Sequence, residues 1–147
     1  MAAEDQMALE EQLCFALYDA SRAVMGQYRA GLAELGLTYT QYVVLLVLWA
    51  DPDATVSSLG DRLNLDSGTL SPLLKRLEAQ GLVRRVRSST DERVVHVQLT
   101  QAGTDLKSDV NLVRCEVEAA VDTEPTEMAR LREQLHDLSA RLRSHQN

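Results

Sequence analysis

Two cysteines, Cys14 and Cys115, are the residues of this sequence best suited to redox chemistry. A thiolate rather than a thiol attacks a peroxide oxygen. The first product, a sulfenic acid, condenses with a second thiol to a disulfide, which needs Cα atoms about 4.4–6.8 Å apart. Leu13, Phe15 and Leu17 flank Cys14. Desolvation by such neighbours raises a thiol pKa and protects it, so a reactive thiol there needs groups that favour the anion. The competing reading is an inert buried cysteine. His96, His136 and His145 form no ligand-spaced cluster with the cysteines, so no metal and no cofactor are expected. A Cys-x-x-Cys pair and an αβ redox scaffold are both missing from the pattern, which argues against a thiol peroxidase, and no enzyme activity is expected.

Charge supplies the second kind of chemistry. The chain has 147 residues and a net charge of −7, which taken alone disfavours a polyanionic partner. The charges are segregated, however. Residues 70–93 carry Lys75, Arg76, Arg84, Arg85, Arg87 and Arg93 against Glu78, Asp91 and Glu92, whereas 104–127 carry seven acids against Lys107 and Arg114. Because the local field decides where a polyanion docks, the basic segment is either a nucleic-acid surface or a solvated charged hairpin.

These residues must be positioned by a chain that is 45% apolar and 25% charged, ordinary globular values that exclude a disordered or fibrous protein. Its length suits one domain. The longest apolar run, Tyr42 to Ala50, is too short for a bilayer span of about 20 residues. The acidic start MAAEDQMALEEQL lacks the basic region of a signal peptide. The expectation is a cytoplasmic protein with no membrane partner, whose cysteines are free thiols or a redox pair.

Leu9, Leu13, Leu17, Ala20 and Val24 form a helical stripe, giving a helix over about 6–34 that Gly36 stops, with Gly26 and Gly31 suggesting local bending. Thr38-Tyr-Thr-Gln41 spells a capping box before a buried helix. A short helix follows over 55–63. Asn64 and Leu65 make a turn, and Asp66 caps a helix with Leu70, Leu73, Leu74 and Leu77 on one face and Gly81 at its C′ position. This pair is a helix-turn-helix pattern. Pro72 fits a helix interior poorly, so a shorter helix with Ser71 as cap and Pro72 at its first position stays open. Leu82 to Arg87 and Val94 to Leu99 read as a hairpin, with Val95, Val97 and Leu99 alternating against His96 and Gln98. A long helix over about 101–121 and a last one with Met128, Leu131, Leu135, Leu138 and Leu142 complete the chain, separated by Pro125. The fold class is mainly α with a β-wing.

Three segments, LGLTYTQYVVLLVL at 35–48, LLKRLEAQGLV at 73–83 and DER…LTQAG at 91–103, resemble the MarR family of winged helix-turn-helix repressors over nearly the whole chain. LCFALYDASRA at 13–23 and LDSGTLSPLLKRLE at 65–78 are similar to its organic hydroperoxide resistance regulators, proline included, which favours the longer helix starting near Ser67. The resemblance implies a single domain over 1–147. In it, a homodimer is built from helices at 6–34 and 101–143, and a DNA-binding lobe spans 38–99. Cys14 matches the sensor of organic hydroperoxides. Tyr28 and Tyr39, 14 and 25 residues downstream, match the tyrosines that hold it, and Tyr18 matches a third, whereas Tyr42 has no match and reads as core. Two phenol donors at roughly 1.5–3 kcal/mol each would offset the burial of the thiolate. Cys115 falls where two-cysteine members carry a resolving thiol.

The partner implied is double-stranded operator DNA, read by two recognition helices about 34 Å apart. Ser67, Thr69, Ser71 and Lys75 are expected to face the major groove. Arg93, oriented by Asp91, is similar to the wing arginine that enters the minor groove. Arg76, Arg84, Arg85 and Arg87 are phosphate contacts or a solvated strand face. The alternative function is a MarR-type regulator released by a small phenolic ligand, with Cys14 incidental.

Overall fold

Capping decides where the helices of the central lobe begin. The computed structural model describes residues 7–146, and its elements in chain order are α1 Leu13–Ala33, α2 Tyr39–Ala50, α3 Val56–Leu63, α4 Ser67–Ala79, β1 Val83–Arg87, β2 Val95–Leu99, α5 Gln101–Asp105, α6 Lys107–Val121 and α7 Pro125–Ser144. The expected capping box is formed: the Gln41 N–H donates to the Thr38 hydroxyl at 3.3 Å, and the Thr38 N–H donates to the Gln41 side chain at 3.0 Å. Thr55 and Ser58 build a second box on α3, and Asp66 accepts from the Thr69 N–H at 2.7 Å at the start of α4.

That last cap settles the open boundary. Helix α4 starts at Ser67 and carries Pro72 in its interior. Asn64 makes the preceding turn in the left-handed region, and Gly81 follows α4 with φ +75°. The wing pairs Val83 with Leu99 through Arg87 with Val95. An isolated bridge between Thr55 and His96 ties the wing to the start of α3, and the Val97 N–H donates to the Ala54 carbonyl at 2.9 Å. Leu45, Leu59, Leu70, Leu74, Leu77 and Val97 form the centre of the core, all at 1% exposure or less. Each such side chain contributes roughly 1.5–3 kcal/mol by leaving water.

The first helix departs from expectation. Residue 6 lies outside the described residues, Leu9–Glu11 form a separate 3-10 turn, and Gln12 is extended, so α1 begins only at Leu13. The helix expected over 101–121 is likewise divided at Leu106 into α5 and α6. Gly31 marks a close approach, since a Cβ there would stand 2.6 Å from the Val113 side chain; nothing lies near Gly26. Gly103 sits against the Leu82 carbonyl, leaving no room for a side chain.

Two compact units divide the chain, Met1–Arg114 and Cys115–Asn147. The first holds the winged lobe and α1. The second holds the end of α6 and α7, whose Leu131, Leu135 and Leu142 are exposed. Among the described residues, no helix is long and apolar enough to cross a membrane.

Candidate functional site

A groove of about 540 Å³ opens between α3, the first turn of α4 and the wing. Its lining includes Ser57, Asp61, Ser67, Arg85 and Arg93. Sequence reasoning missed the contribution of α3. The capping box at Thr55 was its available signal, because it fixes the first turn of that helix beside the wing.

The recognition helix presents more than one face. At 100° per residue, the buried leucines leave Gly68, Pro72 and Lys75 pointing most directly away from the core. Ser67 and Ser71 stand on one flank of that strip, and Thr69 and Arg76 on the other. Ser67, Thr69, Lys75 and Arg76 are exposed and Ser71 is half-buried. The expected readers therefore straddle the outer face, with only the Ser67 flank turned to the groove.

The wing arginines are more occupied than a free phosphate-binding set. Arg85 donates its backbone N–H to Glu78 Oε1 at 3.1 Å, and its guanidinium reaches Oε2 at 3.0–3.1 Å. These hydrogen bonds hold the Glu78 carboxyl below its ordinary range. Arg84 donates to Gln98 at 3.1 Å, and Arg87 donates to the Glu92 carbonyl. Expected as phosphate contacts or a solvated strand face, these three lie on an exposed strand face and also brace the wing. Cross-strand pairing puts Arg84 opposite Gln98, and the turn after α4 returns Arg85 to Glu78. Arg93 differs. Its side chain is 89% exposed at the tip, and Asp91 receives its backbone N–H and its Nε at 3.1 Å and its Nη2 at 3.3 Å. Those donors keep the Asp91 carboxyl low, so Asp91 stays charged and aims the guanidinium outward.

The thiol region is assembled differently from its expectation. Cys14 is the second residue of α1 and is exposed, not desolvated by Leu13, Phe15 and Leu17. Tyr28 lies 14 residues further along the same helix, about 21 Å at 1.5 Å per residue, so one chain does not bring its own Tyr28 to its own Cys14. Tyr28 instead packs edge-on to Tyr39 at 5.8 Å and stacks on Tyr42 at 5.0 Å. Tyr42 is buried, as read. Burial, then the neighbouring Tyr28, pushes the Tyr39 and Tyr42 phenols up, so both keep their protons as donors at neutral pH. Tyr18 is exposed with the Arg22 guanidinium 5.4 Å from its ring centre. Cys115 is exposed on α6, in the second unit. Among the described residues, no group of three His, Cys, Asp or Glu is arranged to hold a metal ion.

With this geometry, similarity to known proteins has a definite meaning. The family profile for transcriptional regulator SarA/Rot matches residues 28–110, more than half the chain. The organic hydroperoxide resistance transcriptional regulator of Bacillus subtilis (strain 168) is 52% identical over 103 residues, 70% of each chain. Reduced AbfR bound to DNA superposes with a TM-score of 0.84 at 35% identity over 99% of both chains; AbfR has also been described from Staphylococcus epidermidis. The disulfide form of AbfR superposes at 0.66, with 36% identity over 97% of this chain and 95% of the other. A helix-turn-helix with a braced two-stranded wing, an N-terminal cysteine and this degree of similarity place the chain in the family of MarR-like winged-helix transcriptional regulators, among the organic hydroperoxide resistance regulators.

Proposed function

We propose that this protein is a cytoplasmic, non-enzymatic repressor that holds operator DNA while reduced and releases it when an organic hydroperoxide oxidises Cys14. The observation that carries this reading is the position of Cys14. It is exposed in the single chain, at the start of a helix that buries only Leu32 and leaves Leu13, Tyr18 and Val24 uncovered. A homodimer that covers those residues, together with the exposed leucines of α7, completes the sensor and makes 1–147 one functional domain. Since Tyr28 of the same chain is out of reach, Tyr28 and Tyr39 can hold the thiolate only across the dimer, while Tyr18, one turn from Cys14 on α1, is the third phenol of the set.

The chemistry balances without a cofactor. The Cys14 thiolate attacks the outer peroxide oxygen, the O–O bond breaks, and the alcohol leaves after taking a proton. Sulfur loses an electron pair to become a sulfenic acid. The Cys115 thiol then attacks that sulfur, a disulfide forms and water departs. The pull on the dimer helices separates the two lobes. The apolar side chains that the dimer would draw over the exposed Cys14 favour alkyl hydroperoxides over hydrogen peroxide. Ser67, Thr69, Ser71 and Lys75 read the major groove, and Arg93 with Asp91 reads the minor groove. Arg76, with Arg84, Arg85 and Arg87 as braces, adds the local field. The alternative, a MarR-type regulator released by a small phenolic ligand with Cys14 incidental, is separated from this reading by the response of Cys14→Ser to hydroperoxide.

The test uses a duplex selected from a random-sequence pool by the reduced protein. Cumene hydroperoxide is expected to release the wild type from it and to give a dimer-sized band on a non-reducing gel. Cys14→Ser is expected to hold the duplex, and Cys115→Ser to lose the cross-linked band. Release of DNA from Cys14→Ser on the same treatment sinks the sensor assignment.

A further inference from the structure

Gln41 is the one buried polar side chain among the described residues, at 3% exposure, and neither the groove nor the thiols use it. Its amide has a fixed direction. Oε1 accepts from the Thr38 N–H, so Nε2 turns outward and donates to Gln80 Oε1 at 2.9 Å. That contact fixes the second amide in turn, and Gln80 Nε2 donates to the Gly36 carbonyl at 2.7 Å. With a backbone donor at one end and a backbone acceptor at the other, only one orientation of the two amides satisfies every bond.

The ring joins two distant parts of the sequence. Gln80 is the C-cap of the recognition helix α4. Gly36 and Thr38 form the corner between α1 and α2, closed by the Leu37 N–H donating to the Leu32 carbonyl at 3.0 Å. Tyr39 is the first residue of α2 at that corner, and Tyr42 follows Gln41 directly. Apolar packing between helices tolerates small slides, whereas amide hydrogen bonds are directional; the Gln41–Gln80 contact is partly buried and the Gln80–Gly36 contact lies at the surface. Tyr42 itself lies in the leucine core, with Tyr28 and Tyr39 packed against it, and the amide pair adds a hydrogen-bonded route from that corner to the end of α4.

We propose that the Gln41–Gln80 amide pair is the latch that couples the tyrosine-bearing corner to the recognition helix, which makes both glutamines positioning residues for DNA release. The origin of the displacement rests on the redox reading; the coupling does not. By linkage, what passes from the corner to DNA also passes from DNA to the corner.

Amide hydrogen exchange at residues 37–42 reads this directly, with and without the selected duplex, in reduced wild type and in Gln80→Leu, a change at an exposed site. Binding is expected to slow exchange there at least about fivefold in wild type, the lower end of allosteric couplings, and to leave it unchanged in Gln80→Leu. Gln41→Glu, which keeps the capping box and turns a carboxylate oxygen on Gln80, is expected to behave as Gln80→Leu does. The latch is overturned if Gln80→Leu retains the protection or if wild type never shows it. Faster exchange across the whole lobe, equal with and without DNA, would make the pair a structural tie and also overturn it. Cumene hydroperoxide on the same samples separates the two claims. A wild type that stays on the duplex refutes the redox reading, while the exchange data still judge the latch. If wild type releases the duplex and Gln80→Leu shows at least a fivefold smaller change in affinity, the latch gains its second support.

Discussion

The winged lobe and the helices that flank it in sequence follow different rules. Between Thr38 and Thr100 nearly every polar end is capped and most apolar side chains are inside, Leu46 and Val86 excepted: α2 alone buries Tyr42, Val44, Leu45, Val47 and Leu48, and β2 puts Val97 fully inside. In α1, 21 residues bury one leucine, and α7 buries none. The lobe is satisfied within its own chain, whereas α1 and α7 carry apolar side chains that still lack a cover. A DNA reader must be rigid to place a few side chains against base edges. A sensor that acts by moving helices is better built where stability depends on association, since such contacts can be traded for others at small cost.

Matched truncations give the strongest way to break this contrast. Leu74→Ala, at a fully buried site, is expected to cost about 2–5 kcal/mol, independent of protein concentration. Leu131→Ala on α7 is expected to shift the melting midpoint only in a concentration-dependent way, as loss of association does; urea titrations at two protein concentrations check both. A fall at Leu131→Ala that ignores dilution would erase the distinction. Next in size is Arg93→Ala. The loss of one charged contact, about 1.5–3 kcal/mol, weakens duplex binding about ten- to a hundredfold, with the sedimentation profile unchanged; unaltered affinity removes Arg93 from the interface. Thr55→Ala, which opens the α3 capping box, is expected to lower lobe stability by about 1 kcal/mol, read by denaturant midpoint.

The smallest expected effect concerns the wing brace. Glu78 has a lowered carboxyl pKa in the fold, so its contribution is fully present above the ordinary value of 4.5 and fades as pH falls below it. Glu78→Gln is expected to be less stable than wild type at pH 7 by under about 1 kcal/mol, as for a partly exposed pair. The two proteins should converge in acid. A gap that widens as pH drops would contradict the Arg85–Glu78 assignment.

Much of the lobe was legible because local chemistry and tertiary placement agree there. Thr38 with Gln41, Asp66 at α4 and Gly81 after it are short-range signals that the fold obeys, and the alternation of Val95, Val97 and Leu99 gave the wing strand within a residue. Asp91 and Arg93, two residues apart, needed no long-range information to pair. Residue type could not say that Arg84, Arg85 and Arg87 are braces. Their partners Gln98, Glu78 and Glu92 arrive through strand register and the turn after α4. The start of α1 was misread for a similar reason: the leucine stripe runs unbroken through residue 9, while the extended backbone at Gln12 interrupts the helix.

The sequence by itself determined the periodicities, the caps and the presence of a thiol near the amino end, since each depends on neighbours within four residues. Only the tertiary structure decided that Tyr28 stacks on Tyr42, and that Gln41 meets Gln80 from 39 residues away. Such pairings depend on how helices pack in three dimensions, and no spacing along one strand of text encodes the distance between two helices that the core brings together.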